Sequence, residues 1–162
     1  YEAYNELSKD LKALLLGKTA FHDGEIDLRN YGIKLAVGQQ YPQASHPIIA
    51  RHPETGRSLL FVNGSFTSHI EGIPRWESDM LLSGLYDFVA TNARLQCRVK
   101  WTQNTLVMWD NRCVQHQAIR DYVGFARYGE RVQIHESCRL PAAVRRFRRD
   151  HVQTVVRCCF AQ

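Results

Sequence analysis

The chain has 162 residues, 44% hydrophobic and 23% charged, with a formal net charge of +5. That size and balance suit one ordinary domain with a buried core and exclude a wholly disordered chain. No apolar run approaches the roughly 20 residues of a bilayer-crossing helix. The charge excess is local: residues 136–162 carry six arginines against Glu136 and Asp150, which is +4 of the total, so residues 1–135 are nearly neutral.

In chain order, Ser8 ahead of Leu11, Leu14 and Leu15, with Gly17 behind them, predicts a helix from about Ser8 to Leu16: a capping hydroxyl, an apolar stripe and a stop. Residues 22–58, rich in Gly, Pro, Asn and charge, read as loops with short extended pieces, and Arg57 to Val62 as a strand. Pro74 opens a helix to about Ala90, with Met80, Leu81, Leu85, Phe88 and Val89 at helical spacing. The clearest alternation follows, Leu95, Cys97, Val99 and Trp101 against Arg94, Gln96, Arg98 and Lys100, and predicts a strand with one apolar and one basic face. Thr102 to Asn104 reads as a turn, Leu106 to Trp109 as a returning strand, and residues 113–118 and 130–135 as further extended segments. Trp101 and Trp109 are expected in the core, with Cys97 and Cys113 as small buried hydrophobes. The pattern gives a mainly β fold with flanking helices, a jelly roll or sandwich.

Five cysteines at irregular spacing make neither a disulfide framework nor a zinc motif. With no leader segment at Tyr1, the expected compartment is the reducing cytoplasm. No known nucleic-acid module accompanies the arginine tail, so neither nucleic acid nor a membrane is expected as a partner. Homo-oligomer formation is left open.

The chemistry-bearing stretch is Trp109-Asp110-Asn111-Arg112-Cys113-Val114-Gln115-His116-Gln117-Ala118, followed by Asp121-Tyr122, Arg127 and Arg131. A neutral imidazole can bind a metal, and two guanidinium forks can hold two anions. On the residues alone a second reading stands beside this one: a hydrogen-bonded histidine and solvated arginines.

The stretch resembles the distal motif of the taurine and 2,4-dichlorophenoxyacetate dioxygenases, within the Fe(II)/2-oxoglutarate-dependent oxygenases. Other pieces match in the same order: Tyr1 to Ser8, Phe21-His22-Asp23, His46-Pro47-Ile48-Ile49, His52-Pro53-Glu54-Thr55-Gly56-Arg57, Phe61-Val62-Asn63, Phe66-Thr67, Ile70 and Glu77-Ser78. The similarity covers residues 1–135. It implies part of a double-stranded β-helix holding one Fe(II) through two histidines and a carboxylate, with open positions for 2-oxoglutarate and O2. By position, His116 resembles the distal iron ligand, and Arg127 the residue that grips the far carboxylate of 2-oxoglutarate. Arg131 resembles the residue that binds the substrate's anionic group, and Phe66 a pocket-lining aromatic. The implied reaction converts 2-oxoglutarate to succinate and CO2 while a small anion (a sulfonate, alkyl sulfate or aryloxyalkanoate) is hydroxylated beside its heteroatom.

Two departures stand out. The family's early His-x-Asp motif is absent; only His52-Pro53-Glu54 and His69-Ile70-Glu71 have a similar form, and both fall in segments that match elsewhere. The motif is expected upstream of Tyr1, which makes this chain a C-terminal portion, inactive alone because one histidine cannot hold Fe(II) against water. After His135 the resemblance ends. The arginine-rich stretch 136–162 reads as a divergent tail, either a basic extension, disordered or helical, or the product of a shifted reading frame. The alternative to an enzyme is a non-catalytic remnant or β-sandwich module that keeps the anion-binding arginines without metal chemistry.

Overall fold

The computed structural model describes residues 1–119, 123–124, 127–135 and 152–160, with side chains beyond residue 126 described only for 129–132. Asp121-Tyr122, the side chain of Arg127 and the arginines between 139 and 149 lie outside the described residues. The chain forms two compact units, Tyr1–Cys97 and Arg98–Gln162. Antiparallel sheets and helices share the described residues, and no helix among them is long and apolar enough to cross a membrane.

The first unit opens with two short helices, α1 (Glu2–Glu6) and α2 (Lys9–Leu15). Ser8 caps α2 as expected, its Oγ accepting from the Leu11 amide at 3.1 Å, and Gly17 leaves the helix with φ of 78°. Four short strands and a third helix follow: β1 (Thr19–Asp23), α3 (Gly24–Asn30), β2 (Gln43–Pro47), β3 (Ile49–Arg51) and β4 (Ser58–Leu60). Within 22–58, read as mostly loop, α3 is therefore a correction. Its signals are local: Asp23 Oδ1 accepts from the Glu25 amide at 2.9 Å, acids fill the first turn, and Arg29 sits in the last.

β5 (Thr67–Ile70) completes a three-stranded antiparallel sheet in the order β2-β1-β5, and β3 pairs with β4. Pro74 then starts α4 (Arg75–Thr91), the helix expected from Pro74 to Ala90. Alternation along β1 sends Ala20 and His22 to the buried side of the sheet. There Ala20 and Ile70 join Leu7, Leu15, Ile48, Leu60, Val62, Leu82 and Leu85 in one core. Along α4 the stripe is rotated from the expected one: Leu82 and Leu85 are buried, while Met80 is 63% exposed.

The strand expected from Arg94 to Trp101 is not formed. Ala93–Leu95 is a single 3-10 turn, its first free amide at Arg94 held by the Asn92 side chain at 3.1 Å, and residues 96–101 join no ladder among the described residues. Cys97 and Val99 are exposed, so their side of the alternation has no core to face. A period of two assigns faces to a segment but does not supply the hydrogen-bonding neighbour that makes a strand.

In the second unit, Thr102 to Thr105 turns back with Asn104 at φ of 62°, and β6 (Thr105–Asp110) follows, matching the expected Leu106–Trp109 strand. β7 (Arg127–His135) contains the expected 130–135 segment. β8 (Val152–Phe160), in the arginine-rich stretch, pairs antiparallel with both in the order β6-β8-β7.

Candidate active-site segment

The distal motif folds as a turn that holds itself. β6 delivers Trp109 and ends at Asp110, whose carboxylate takes the Arg112 guanidinium, with Nε at 2.8 and 2.9 Å from its two oxygens and Nη2 on Oδ2. The same carboxylate accepts from the Arg112 amide at 2.9 Å. The Asp110 carbonyl accepts from the amides of Cys113 at 3.2 Å and Val114 at 3.0 Å. The side chains are only 11% (Arg112) and 22% (Asp110) exposed, so this is a forked ion pair largely out of water. Trp109 is half-buried rather than fully in the core, and its indole Nε1 donates to Asn111 Oδ1 at 2.7 Å.

Beyond the turn, residues 114–119 run irregularly, where an extended segment at 113–118 was expected. His116 is exposed, and its ring lies on Trp109, centroids 4.8 Å apart and planes at 46°. Arg127 and Arg131 both lie on β7, at register positions opposite Phe160 and Val156 of β8, and Arg131 is exposed.

Phe66 belongs to the first unit, on the turn before β5, and is 40% exposed. Asn63 Oδ1 caps that turn, accepting from the amides of Ser65 at 3.1 Å and Phe66 at 2.8 Å. The structure therefore places His116 and Arg131 in one unit and Phe66 in the other.

The two His-x-Glu sequences serve the fold. Buried His52 accepts the amides of Glu54 and Thr55 on Nδ1, each at 3.3 Å, and staples a turn. His69 Nδ1 lies 3.2 Å from Ser68 Oγ. Glu71 takes the Ser45 hydroxyl at 2.9 Å, and hydrogen bonds from Thr19 and Ser45 hold its carboxyl below the usual range. On the inner sheet face, His22 and His46 stand 4.7 Å apart edge to face, both against Phe61. Only the alternation in Thr19–Asp23 could have signalled an inward His22.

A facial triad needs three ligands around one ion. His116 can offer one imidazole, but among the described residues it joins no group of three or more ligand side chains close enough to share a metal. The described residues thus fit one corner of such a centre and do not complete it.

An aromatic-backed histidine thus follows a clamped strand end, and β7 further along carries Arg127 and Arg131. The family described as "Taurine catabolism dioxygenase TauD, TfdA family" matches residues 1–134. A Schizosaccharomyces pombe protein named for alpha-ketoglutarate-dependent sulfonate dioxygenase activity is 39% identical over 82% of this chain and 34% of its own length. The alpha-ketoglutarate-dependent sulfonate dioxygenase of Saccharomyces cerevisiae is 34% identical over 75% of the chain and 30% of its own length. The alpha-ketoglutarate-dependent 2,4-dichlorophenoxyacetate dioxygenase of Cupriavidus pinatubonensis is 36% identical over 73% of the chain and 42% of its own. The chain belongs to the TauD/TfdA family. It spans between 30% and 42% of the length of these relatives.

Proposed function

We propose that the protein containing this chain is an Fe(II)- and 2-oxoglutarate-dependent dioxygenase that hydroxylates a small organic anion, with 2-oxoglutarate converted to succinate and CO2. The observation that carries the reading is the self-clamped Trp109–Cys113 turn, which sets His116 on an indole ahead of a strand bearing Arg127 and Arg131. The names of the relatives point to sulfonates and aryloxyalkanoates as the substrate class, with alkyl sulfates as the chemical neighbour.

In this reading His116 supplies one metal ligand, Arg127 binds the far carboxylate of 2-oxoglutarate, and Arg131 binds the substrate anion. A guanidinium fork matches a carboxylate or sulfonate with two parallel hydrogen bonds and so fixes orientation as well as charge. Phe66 lines the pocket beside the substrate's apolar part. The remaining metal ligands come from the whole polypeptide, β6 and β7 form part of a double-stranded β-helix, and the protein works in the cytoplasm with O2 as co-substrate.

Succinate release by the whole polypeptide tests this, with Fe(II), 2-oxoglutarate and three probes: a short alkanesulfonate, an alkyl sulfate and an aryloxyacetate. His116→Ala should abolish iron-dependent turnover. Arg127→Ala should raise chiefly the KM for 2-oxoglutarate, and Arg131→Ala chiefly that for the anion. Binding of an anion without any succinate would instead establish a non-catalytic anion-binding module. Changes in the anion's KM alone from both arginine variants would overturn the division of roles.

A further inference from the structure

We propose that Thr67 is a positioning residue that holds Phe66 ready for the anionic substrate, an inference that rests on the reading of Phe66 as pocket-lining. Thr67 is buried, and its polar atoms close the loop from Asn63 to itself. The Thr67 amide donates to the Asn63 carbonyl at 3.0 Å, while the Asn63 amide donates to Thr67 Oγ1 at 2.9 Å. This reciprocal pair seals the loop at its base. Inside it, Asn63 Oδ1 takes the amides of Ser65 and Phe66, and the Phe66 carbonyl takes the Asp23 amide of β1 at 2.7 Å.

The same residue ties the loop to two more elements. Its carbonyl accepts the Tyr86 phenol of α4 at 3.0 Å. Its hydroxyl, accepting from Asn63, also lies 3.4 Å from His22 Nε2 on β1. The loop is thus pinned to β1, β5 and α4 through Thr67, while the large ring it carries stays 40% exposed. An apolar ring on a loop already ordered loses little freedom when a ligand arrives.

Thr67→Val keeps the shape and removes the hydroxyl; Thr67→Ser restores it. In the whole polypeptide, Thr67→Val should speed amide exchange at Ser65 and Phe66 by about tenfold, the effect of one lost hydrogen bond. With a short alkanesulfonate as probe, its KM should rise several-fold while the KM for 2-oxoglutarate holds, and Thr67→Ser should recover both readouts. If Thr67→Val fails to fold, Asn63→Ala is the second variant: it deletes the acceptor for Ser65 and Phe66, leaves the hydroxyl in place and should give the same exchange signature. Unchanged exchange at Ser65 and Phe66 overturns the proposal. Fast exchange, with an alkanesulfonate KM that responds to Phe66→Ala but not to Thr67→Val, overturns Thr67's role alone. An unchanged KM in Phe66→Ala overturns the reading of Phe66 itself, and the substrate role of Thr67 with it.

Discussion

The His116 imidazole rests on the Trp109 indole, centroids 4.8 Å apart, and the indole is itself fixed by its hydrogen bond to Asn111. On the proposed role of His116 as a metal ligand, a ring held by a neighbour has fewer orientations to lose on binding, which is how neighbours of a ligand tune affinity. Trp109→Leu in the whole polypeptide should weaken Co(II) binding by roughly 10-fold or more, the range seen for such supporting partners. Asn111→Ala should act in the same direction and less strongly. Visible absorption during Co(II) titration reads both, and wild-type affinity in Trp109→Leu would remove the indole from the account of the site.

The Asp110–Arg112 pair makes a different prediction because it is largely withdrawn from solvent. Deleting one partner of such a pair leaves a poorly solvated charge, at a cost of about 3 kcal/mol or more. Arg112→Ala should therefore strongly destabilise the second unit. Arg112→Lys, which keeps the charge but loses the fork and its bond geometry, should fall between the two. Urea unfolding followed by tryptophan fluorescence in a Trp76→Phe, Trp101→Phe background, which leaves Trp109 as the reporter, measures the series. A loss below about 1 kcal/mol in Arg112→Ala would put the pair with exposed ion pairs.

What the sequence made legible follows how local its signals are. The Ser8 cap, the Pro74 helix start and the short apolar run Leu106–Trp109 each state their structure within a few residues, and each element forms. The family was legible because residue types and their order carry it, even though 114–119 run irregularly where a strand was expected. The segment from Arg94 to Trp101 failed because alternation cannot name a pairing partner. Thr67, His22 and the Asp110–Arg112 clamp were not legible at all. Their roles depend on hydrogen bonds whose partners are fixed by the fold or by turn geometry, and the residue types alone occur at countless surfaces.

The Glu71 carboxyl carries a pH prediction whose sign is fixed by its hydrogen bonds. Its folded value lies below 4.5 because hydrogen bonds from Thr19 and Ser45 favour the charged form. A lowered value means the contribution is present above the unfolded pKa and is lost as pH falls through the folded one. Stability of the first unit should thus fall on acidification below about 4.5, and Ser45→Ala should flatten that fall by raising the Glu71 pKa toward normal. Because Glu71 is only half-buried, water screens the charge and the effect should be small. Carboxyl chemical shifts through an acid titration give the direct check, and an unmoved Glu71 midpoint in Ser45→Ala would assign the shift elsewhere.

Along α4, two residues two positions apart should respond in opposite ways to the same kind of change. Met80 is 63% exposed and Leu82 only 2%, although helical spacing alone had placed Met80 with the core stripe. Leu82→Ala opens a cavity against Leu85 and the rest of the first unit's core and should cost about 2–5 kcal/mol. Met80→Lys puts a charge where water already reaches, and its aliphatic stem can lie along the helix; it should shift stability by no more than about 0.5 kcal/mol. Denaturant midpoints for the two variants separate the assignments. A costly Met80→Lys beside a tolerated Leu82→Ala would mean that α4 turns its Met80 side inward, because a 3.6-residue repeat sets residues two apart on nearly opposite sides of a helix.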